Sequence, residues 1–262
     1  MTGKSAVRLL APGLAALAFV VPPCLASADP PRAAVEVEVE VEEANETFPN
    51  HGKRVAVERF APRAPGRYPA ILLLHGVGGI GPPGTGSPLR ERARRLARQG
   101  FVTLIPHYFD RTGSKLNNAR RNARYYAVWM ETVSDAVTYA GRLPQVDRRR
   151  VGLLGFSLGA SVVISNGMAD PRVSAVVEYS GSLVGEPPPQ LPTMPPTLVL
   201  HGDADRSVPV REARKLSALF TGWQARFEVV IYPGAGHGFR GDDEKDAWKR
   251  TLAFFDKYLK GE

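Results

Sequence analysis

Between Arg149 and Ser165 the chain reads RRVGLLGFSLGASVVIS: an apolar segment, the turn Gly155-Phe156-Ser157-Leu158-Gly159, and a second apolar segment. The first has the character of a buried strand and the second of a helix, so Ser157 would stand where a strand turns sharply into a helix. Glycines two residues before and two after it fit such a turn, because side chains there would collide with the neighbouring backbone. The hydroxyl of Ser157 would then be exposed above the sheet. A serine hydroxyl is a weak nucleophile until a base takes its proton, so this placement has chemical meaning only if a histidine and an orienting acid follow. Without them Ser157 is an idle residue in a glycine-rich turn.

Both follow, in the order serine, acid, histidine. TLVLHGDADRSVP ends an apolar strand in a loop with Asp203 and Asp205, and VVIYPGAGHGF ends the next strand with His237 in a glycine-flanked loop. Asp205 is read as the orienting acid. Asp203 is the near alternative and could equally cap the following turn, and Glu178, after the preceding strand, is a third candidate. Attack on a carbonyl also needs donors for the developing oxyanion. One is the backbone N–H of Leu158 at the helix start. The other is assigned to Val77 in LLLHGVGGIGPPGTG (Leu72 to Gly86), whose six glycines let backbone amides approach a ligand. His75 and His201 each precede a glycine at a strand end and read as turn histidines. A His/Asp metal site is the rival reading, but no pair has a ligand interval such as H-x-x-x-H. No metal or cofactor is implied.

Alternating strands and helices would bring these residues together. AVEVEVEVEE (Ala34 to Glu43) and RVAVERF (Arg54 to Phe60) alternate apolar and charged residues across NHG, as in an antiparallel hairpin with one wet face. YPAILLLHG, FVTLIPH, RVGLLGF, VSAVVEYSG, PPTLVLHGD and FEVVIYPG are nearly continuous apolar runs, the pattern of strands covered on both faces. Helical patterns lie between them at Leu89 to Gln99, Leu116 to Leu143, Leu158 to Met168, Val210 to Thr221 and Asp243 to Leu259. The fold class is therefore α/β: a mostly parallel central sheet with helices on both faces and an N-terminal antiparallel hairpin. Glu186 to Pro196 (EPPPQLPTMPP) reads as a rigid loop between core strands. In such a sheet the C-terminal strand ends form one edge, which gathers Ser157, Asp205 and His237.

The chain has 262 residues, and 34 Lys and Arg against 26 Asp and Glu give a formal charge of +8. The basic residues cluster in RERARRLAR (Arg90 to Arg98), ARRNAR (Ala119 to Arg124) and RRR (Arg148 to Arg150). No aromatic and basic platform accompanies them, so they read as solvated faces and not as a nucleic-acid surface. Residues 1–28 have the form of a signal peptide: Lys4 and Arg8, an apolar stretch from Leu9 to Val21, and an ASA cleavage site before Asp29. The apolar stretch is too short to span a bilayer. Residues 29–262 would then form one periplasmic or secreted domain without stable membrane insertion. Cys24, the sole cysteine, falls in the removed segment, which excludes disulfides and a cysteine nucleophile from the rest.

Taken together, LLLHGVGG, GFSLGA, HGDADRSVP and GAGHGF, in this order across Val55 to Leu259, resemble the dienelactone hydrolase family of the α/β-hydrolase fold. The resemblance implies Ser157, Asp205 and His237 as a catalytic triad and the amides of Val77 and Leu158 as the oxyanion hole. It implies hydrolysis of a small-molecule ester or lactone. Founding members carry cysteine where this chain has Ser157 and glutamate where it has Gly76, so the expectation is a general serine carboxylesterase. A serine peptidase of the same fold and a non-catalytic binding protein on this scaffold are the alternatives. In the family an arginine matching Arg111 helps to hold a substrate carboxylate. The competing reading makes Arg111 a surface residue paired with Asp110 or capping a turn.

Overall fold

The computed structural model describes residues 39–261 apart from 82–86, 115–118 and 190–193. The expected signal segment lies outside the described residues. Eight strands form one sheet: β1 (Val41–Asn50), β2 (Lys53–Pro62), β3 (Tyr68–Leu74), β4 (Val102–Pro106), β5 (Val146–Phe156), β6 (Val173–Tyr179), β7 (Thr197–Gly202) and β8 (Phe227–Tyr232). Their order is β1-β2-β4-β3-β5-β6-β7-β8. Strand β2 runs antiparallel to β1 and β4, and all later pairings are parallel. The helices are α1 (Pro88–Arg98), α2 (Ala119–Ala140), α3 (Leu158–Ala169), α4 (Arg211–Gly222) and α5 (Gly241–Phe255).

The hairpin differs from the sequence expectation in its placement. Residues 34–38 of the alternating run are not described, and β1 continues past the run to Asn50. The two-residue turn His51-Gly52 accounts for this. Both residues have positive φ (44° and 79°), the geometry that matches the strand twist in a tight hairpin, so Asn50 pairs directly with Lys53. Pro49 is tolerated because β1 is an edge strand, where a missing N–H breaks no inner ladder.

The apolar runs behave as expected for strands covered on both faces. Along β3, Ala70, Leu72 and Leu74 join a core with Trp129, Val133 and Val137 of α2 and with Val162 and Val163 of α3. The alternate residues Ile71 and Leu73 join a second core with Leu89, Ala93 and Leu96 of α1 and with Trp248, Phe254 and Phe255 of α5. A third cluster seats α4 through Ala213, Leu216 and Phe220 on Ile164 and Val199. Two filled layers make the central sheet rigid, and the residues at its C-terminal edge inherit that rigidity.

The basic helix α1 needs a correction. Its arginines were expected on a solvated face, yet Arg90 is only 2% exposed. It lies in the buried stripe with Leu89, Ala93 and Ala97 and makes a two-pronged pair with the buried Glu58 of β2, at 2.6 and 2.7 Å. The same guanidinium donates to the carbonyls of Ile80 and Gly81 at 3.3 and 3.2 Å, which ties down the loop after β3. His107 Nε2 lies 2.8 Å from Glu58. Burial alone would push the Glu58 carboxyl up, but the hydrogen bonds from Arg90 and His107 outweigh it and hold the group at about 2.

Because this pKa is depressed on folding, the contribution of Glu58 is complete above its ordinary value of 4.5 and is lost as pH falls toward 2. Chemical denaturation should therefore record falling stability across that window in the wild type and a flatter profile in Glu58→Gln. Glu58→Ala strands a buried guanidinium and should cost about 3 to 5 kcal/mol, with Glu58→Leu combined with Arg90→Met regaining most of it. A single-residue loss below about 1 kcal/mol would contradict this account.

Candidate active site

Ser157 joins β5 to α3 at φ 56° and ψ −119°, a conformation that side-chain-bearing residues rarely adopt. The surroundings fix it. Its N–H donates to Tyr179 O of β6 at 2.9 Å, and its carbonyl accepts from Ser161 N at 3.1 Å. A Cβ on Gly155 would stand 2.3 Å from the Gly159 carbonyl oxygen, and a Cβ on Gly159 2.5 Å from the carbonyl oxygens of Leu74 and His75. Neither position admits any side chain. The end of β3 is itself held from the far side, since Tyr108 Oη donates to His75 O at 2.7 Å.

The second component is the loop Asp203 to Val208 after β7. A Cβ on Gly202 would meet the Ala235 carbonyl oxygen at 2.2 Å, so this strand end lies directly against the histidine loop. Asp203 N and Ala204 N donate to Tyr232 O and Ala235 O, locking the two loops together. Within that frame the two aspartates part. Asp203 accepts from Gly234 N at 2.6 Å and so caps the β8 turn. Asp205 is 5% exposed and points its Oδ2 at His237 Nδ1, 2.7 Å away, while its Oδ1 accepts from Ser207 N and Val208 N, each at 2.8 Å. Burial would push the Asp205 carboxyl up, but the Val208 amide, His237 and the Ser207 amide together hold it below its ordinary value.

His237 closes the set, its Nε2 2.9 Å from Ser157 Oγ. A carboxylate only accepts, so Nδ1 carries the hydrogen and Nε2 presents its lone pair to the serine hydroxyl. An arrangement with a hydroxyl, a correctly oriented base and a buried carboxylate can abstract the serine proton as the oxygen attacks an electrophilic carbon.

The other expected residues fall as follows. Leu158 is the first residue of α3, where a helix N–H has no partner within the helix. Val77 lies inside the turn closed by Gly79 N donating to Gly76 O, and it is 40% exposed. Gly76 presses against the elbow, with 3.2 Å from its ideal Cβ position to Ser157 Cβ. That leaves little room for the glutamate of the founding family members. Glu178 is fully buried and accepts from Gly181 N, away from the histidine; burial pushes it up to about 8. His201 is buried with its Nε2 on Val208 O. Among the described residues no three His, Cys, Asp or Glu side chains come together as a metal site. Nor is any described helix long and apolar enough to cross a membrane.

Arg111 is not brought to this cleft. It sits in a 3₁₀ turn (Asp110–Thr112), its guanidinium 2.6 Å from Glu131 of α2 and its carbonyl accepting from Lys53. Asp110 accepts from Ala56 N instead of pairing with Arg111. Sequence reasoning also missed the cavities beside the elbow. One, of about 330 Å³, is walled by Ile80, Leu89, Phe156 and Phe239, with Arg92 and Glu244 also lining it. These two form an exposed pair at 3.4 Å, and Arg92 lies over the Tyr179 ring. A second, of about 400 Å³, is lined by Gly78 to Gly81, His107 and Phe109. His75 and Ile80 border both.

The strand order, the elbow after β5 and the acid and histidine loops after β7 and β8 define a protein of the α/β-hydrolase fold. The chain belongs to the dienelactone hydrolase family, whose model matches residues 55–259, and it is a hydrolase. A Synechocystis protein provisionally named a carboxymethylenebutenolidase is 26% identical over 242 residues, covering 82% of this chain and 96% of its own. Among solved structures, a promiscuous dienelactone hydrolase-like phosphotriesterase from metagenomic libraries superposes with a TM-score of 0.73 at 19% identity, over 84% of this chain and 99% of its own. An acylaminoacyl peptidase from Pyrococcus horikoshii shares the fold at a TM-score of 0.71 and 16% identity, over 86% of this chain and 43% of its own.

The contacts at the elbow generate a direct test. Gly155→Ala forces a methyl group into the backbone of α3, so it should destabilise by about 3 kcal/mol or more in urea unfolding. A variant with wild-type stability would show that the turn is looser than these contacts require.

Proposed function

We propose that the protein is a serine hydrolase that cleaves carboxylic esters or lactones through an acyl-enzyme on Ser157. The observation that carries this reading is the unbroken chain Ser157 Oγ, His237 and Asp205, with links of 2.9 and 2.7 Å. Ser157 Oγ attacks the carbonyl carbon as its proton passes to His237 Nε2. Asp205, kept ionised by the Ser207 and Val208 amides, stabilises the imidazolium. The N–H groups of Leu158 and Val77 receive the oxyanion. Collapse expels the alkoxide, which takes the proton from His237, and water then repeats the sequence on the acyl-enzyme to release the acid.

The family membership and the relative named for a butenolide hydrolysis support a lactone or small ester as substrate. The reading assigns no role to a metal, a cofactor or a nucleic acid. It extends to location: the pattern of residues 1–28 favours a periplasmic or secreted enzyme. Mass spectrometry of the exported protein should then find Asp29 as its first residue, and a full-length chain in the cytoplasm would contradict export.

The mechanism is tested by kinetics on nitrophenyl esters. Ser157→Ala should unfold at the wild-type denaturant concentration yet lose several orders of magnitude in kcat. Asp205→Ala should lose about 10⁴ in kcat, whereas Asp203→Ala should stay within tenfold of wild type, because Asp203 caps a turn. Wild-type turnover in Ser157→Ala, or a larger loss from Asp203 than from Asp205, would overturn the assignment.

A further inference from the structure

His75 is held more tightly than a turn residue needs to be. Its Nδ1 lies 2.9 Å from Gly76 O. A carbonyl oxygen only accepts, so Nδ1 carries the hydrogen and the lone pair resides on Nε2. Tyr108 stacks on the ring at 4.3 Å and Phe109 meets it edge-on at 4.6 Å, which holds its plane. Among the described residues Nε2 has no hydrogen-bond partner, and it is not one of the sealed polar atoms. The residue is 5% exposed and borders both cavities beside the elbow, and Nε2 is the side-chain polar atom it has left to offer there. Burial pushes the imidazole down to about 4, so at neutral pH the ring is uncharged and this nitrogen only accepts.

The position gives that acceptor a use. Gly76, the next residue, lies beside the elbow, with its ideal Cβ position 3.2 Å from Ser157 Cβ, so a group reaching His75 can belong to a molecule whose carbonyl lies at the serine. Ile80, Leu89, Phe156 and Phe239 give the first cavity apolar wall beside its polar members Ser87, Arg92, Tyr179 and Glu244. An acceptor bordering that wall loses its water when an entering group covers it, and a group that donates restores the partner.

We propose that His75 is a specificity-determining residue, a fixed neutral acceptor for a hydroxyl carried by the substrate near its scissile carbonyl. The preferred substrates are then hydroxy-substituted esters or lactones, and purely hydrocarbon esters are poor ones. The proposal rests on Ser157 as the nucleophile and adds a substrate class to that reading.

The test compares matched esters. One pair is 4-nitrophenyl butyrate and 4-nitrophenyl 3-hydroxybutyrate, which differ by a hydroxyl on the acyl side. The other is propyl butyrate and glycerol monobutyrate, which differ on the alcohol side. In the wild type kcat/KM should favour the hydroxylated member of at least one pair by tenfold or more. His75→Phe, which keeps a stacked ring without an acceptor, should bring that ratio close to one, and His75→Gln, which restores an acceptor, should recover part of it. A wild-type ratio near one in both pairs overturns the proposal without recourse to any variant, as does an undiminished ratio in folded His75→Phe. If no ester is hydrolysed and a fluorophosphonate leaves Ser157 unlabelled, the Ser157 reading itself has failed. Labelled, active enzyme without hydroxyl preference refutes the role of His75 alone.

Discussion

The whole site depends on one backbone reversal. At Ser157 the chain passes from β5 to α3 through a left-handed conformation, and it does so with its flanking glycines in contact with other backbone. Strain of order 1 to 3 kcal/mol at such a residue persists only where the surroundings leave no alternative. Here the surroundings are three strand ends. The carbonyls of Leu74 and His75 crowd Gly159 from β3, Gly155 lies against the first turn of α3, and Tyr179 of β6 receives the Ser157 amide. The two cores beneath the sheet keep those ends in place, so packing far from the hydroxyl determines where it points.

The acid and the base obey a similar economy of space. Gly202 and Ala235 are in contact, and that closeness sets the separation between the Asp205 and His237 loops. Two amides on Asp205 Oδ1 leave Oδ2 for the histidine, which fixes both the carboxylate charge and the tautomer of the imidazole. On the other side of the cleft the Arg90 and Glu58 pair restrains Ile80 and Gly81, so the loop bearing Val77 is anchored from within the core. A buried charged pair is a poor source of net stability, but it gives a glycine-rich loop a defined course.

Much of this was legible in the sequence. Continuous apolar runs separated by helical patterns predict a parallel sheet because only strands covered on both faces can be so apolar. The Gly-x-Ser-x-Gly turn is readable because sterics dictate both glycines. Sequence favours Asp205 but leaves Asp203 as a near alternative, since the two stand two residues apart in one loop; amide donors distinguish them, and these depend on the folded turn. Arg90 was misread for another reason. In a helix with four other arginines it looks like one more solvated charge, and the available signal was its position in the stripe of Leu89, Ala93 and Ala97. Glu58 gave a matching signal, sharing a strand face with the buried Phe60. For Arg111 the partner Glu131 lies twenty residues away in sequence, beyond the reach of any local pattern.

Everything proposed for this site requires that Ser157 be an activated nucleophile. Fluorophosphonate labelling followed by peptide mapping measures this directly. We predict one phosphonyl group per chain, located on Ser157, with the rate of labelling reduced by orders of magnitude in folded His237→Ala. Enzyme that remains active while unlabelled, a label carried by another residue, or labelling of Ser157 at an unchanged rate without His237 would contradict it.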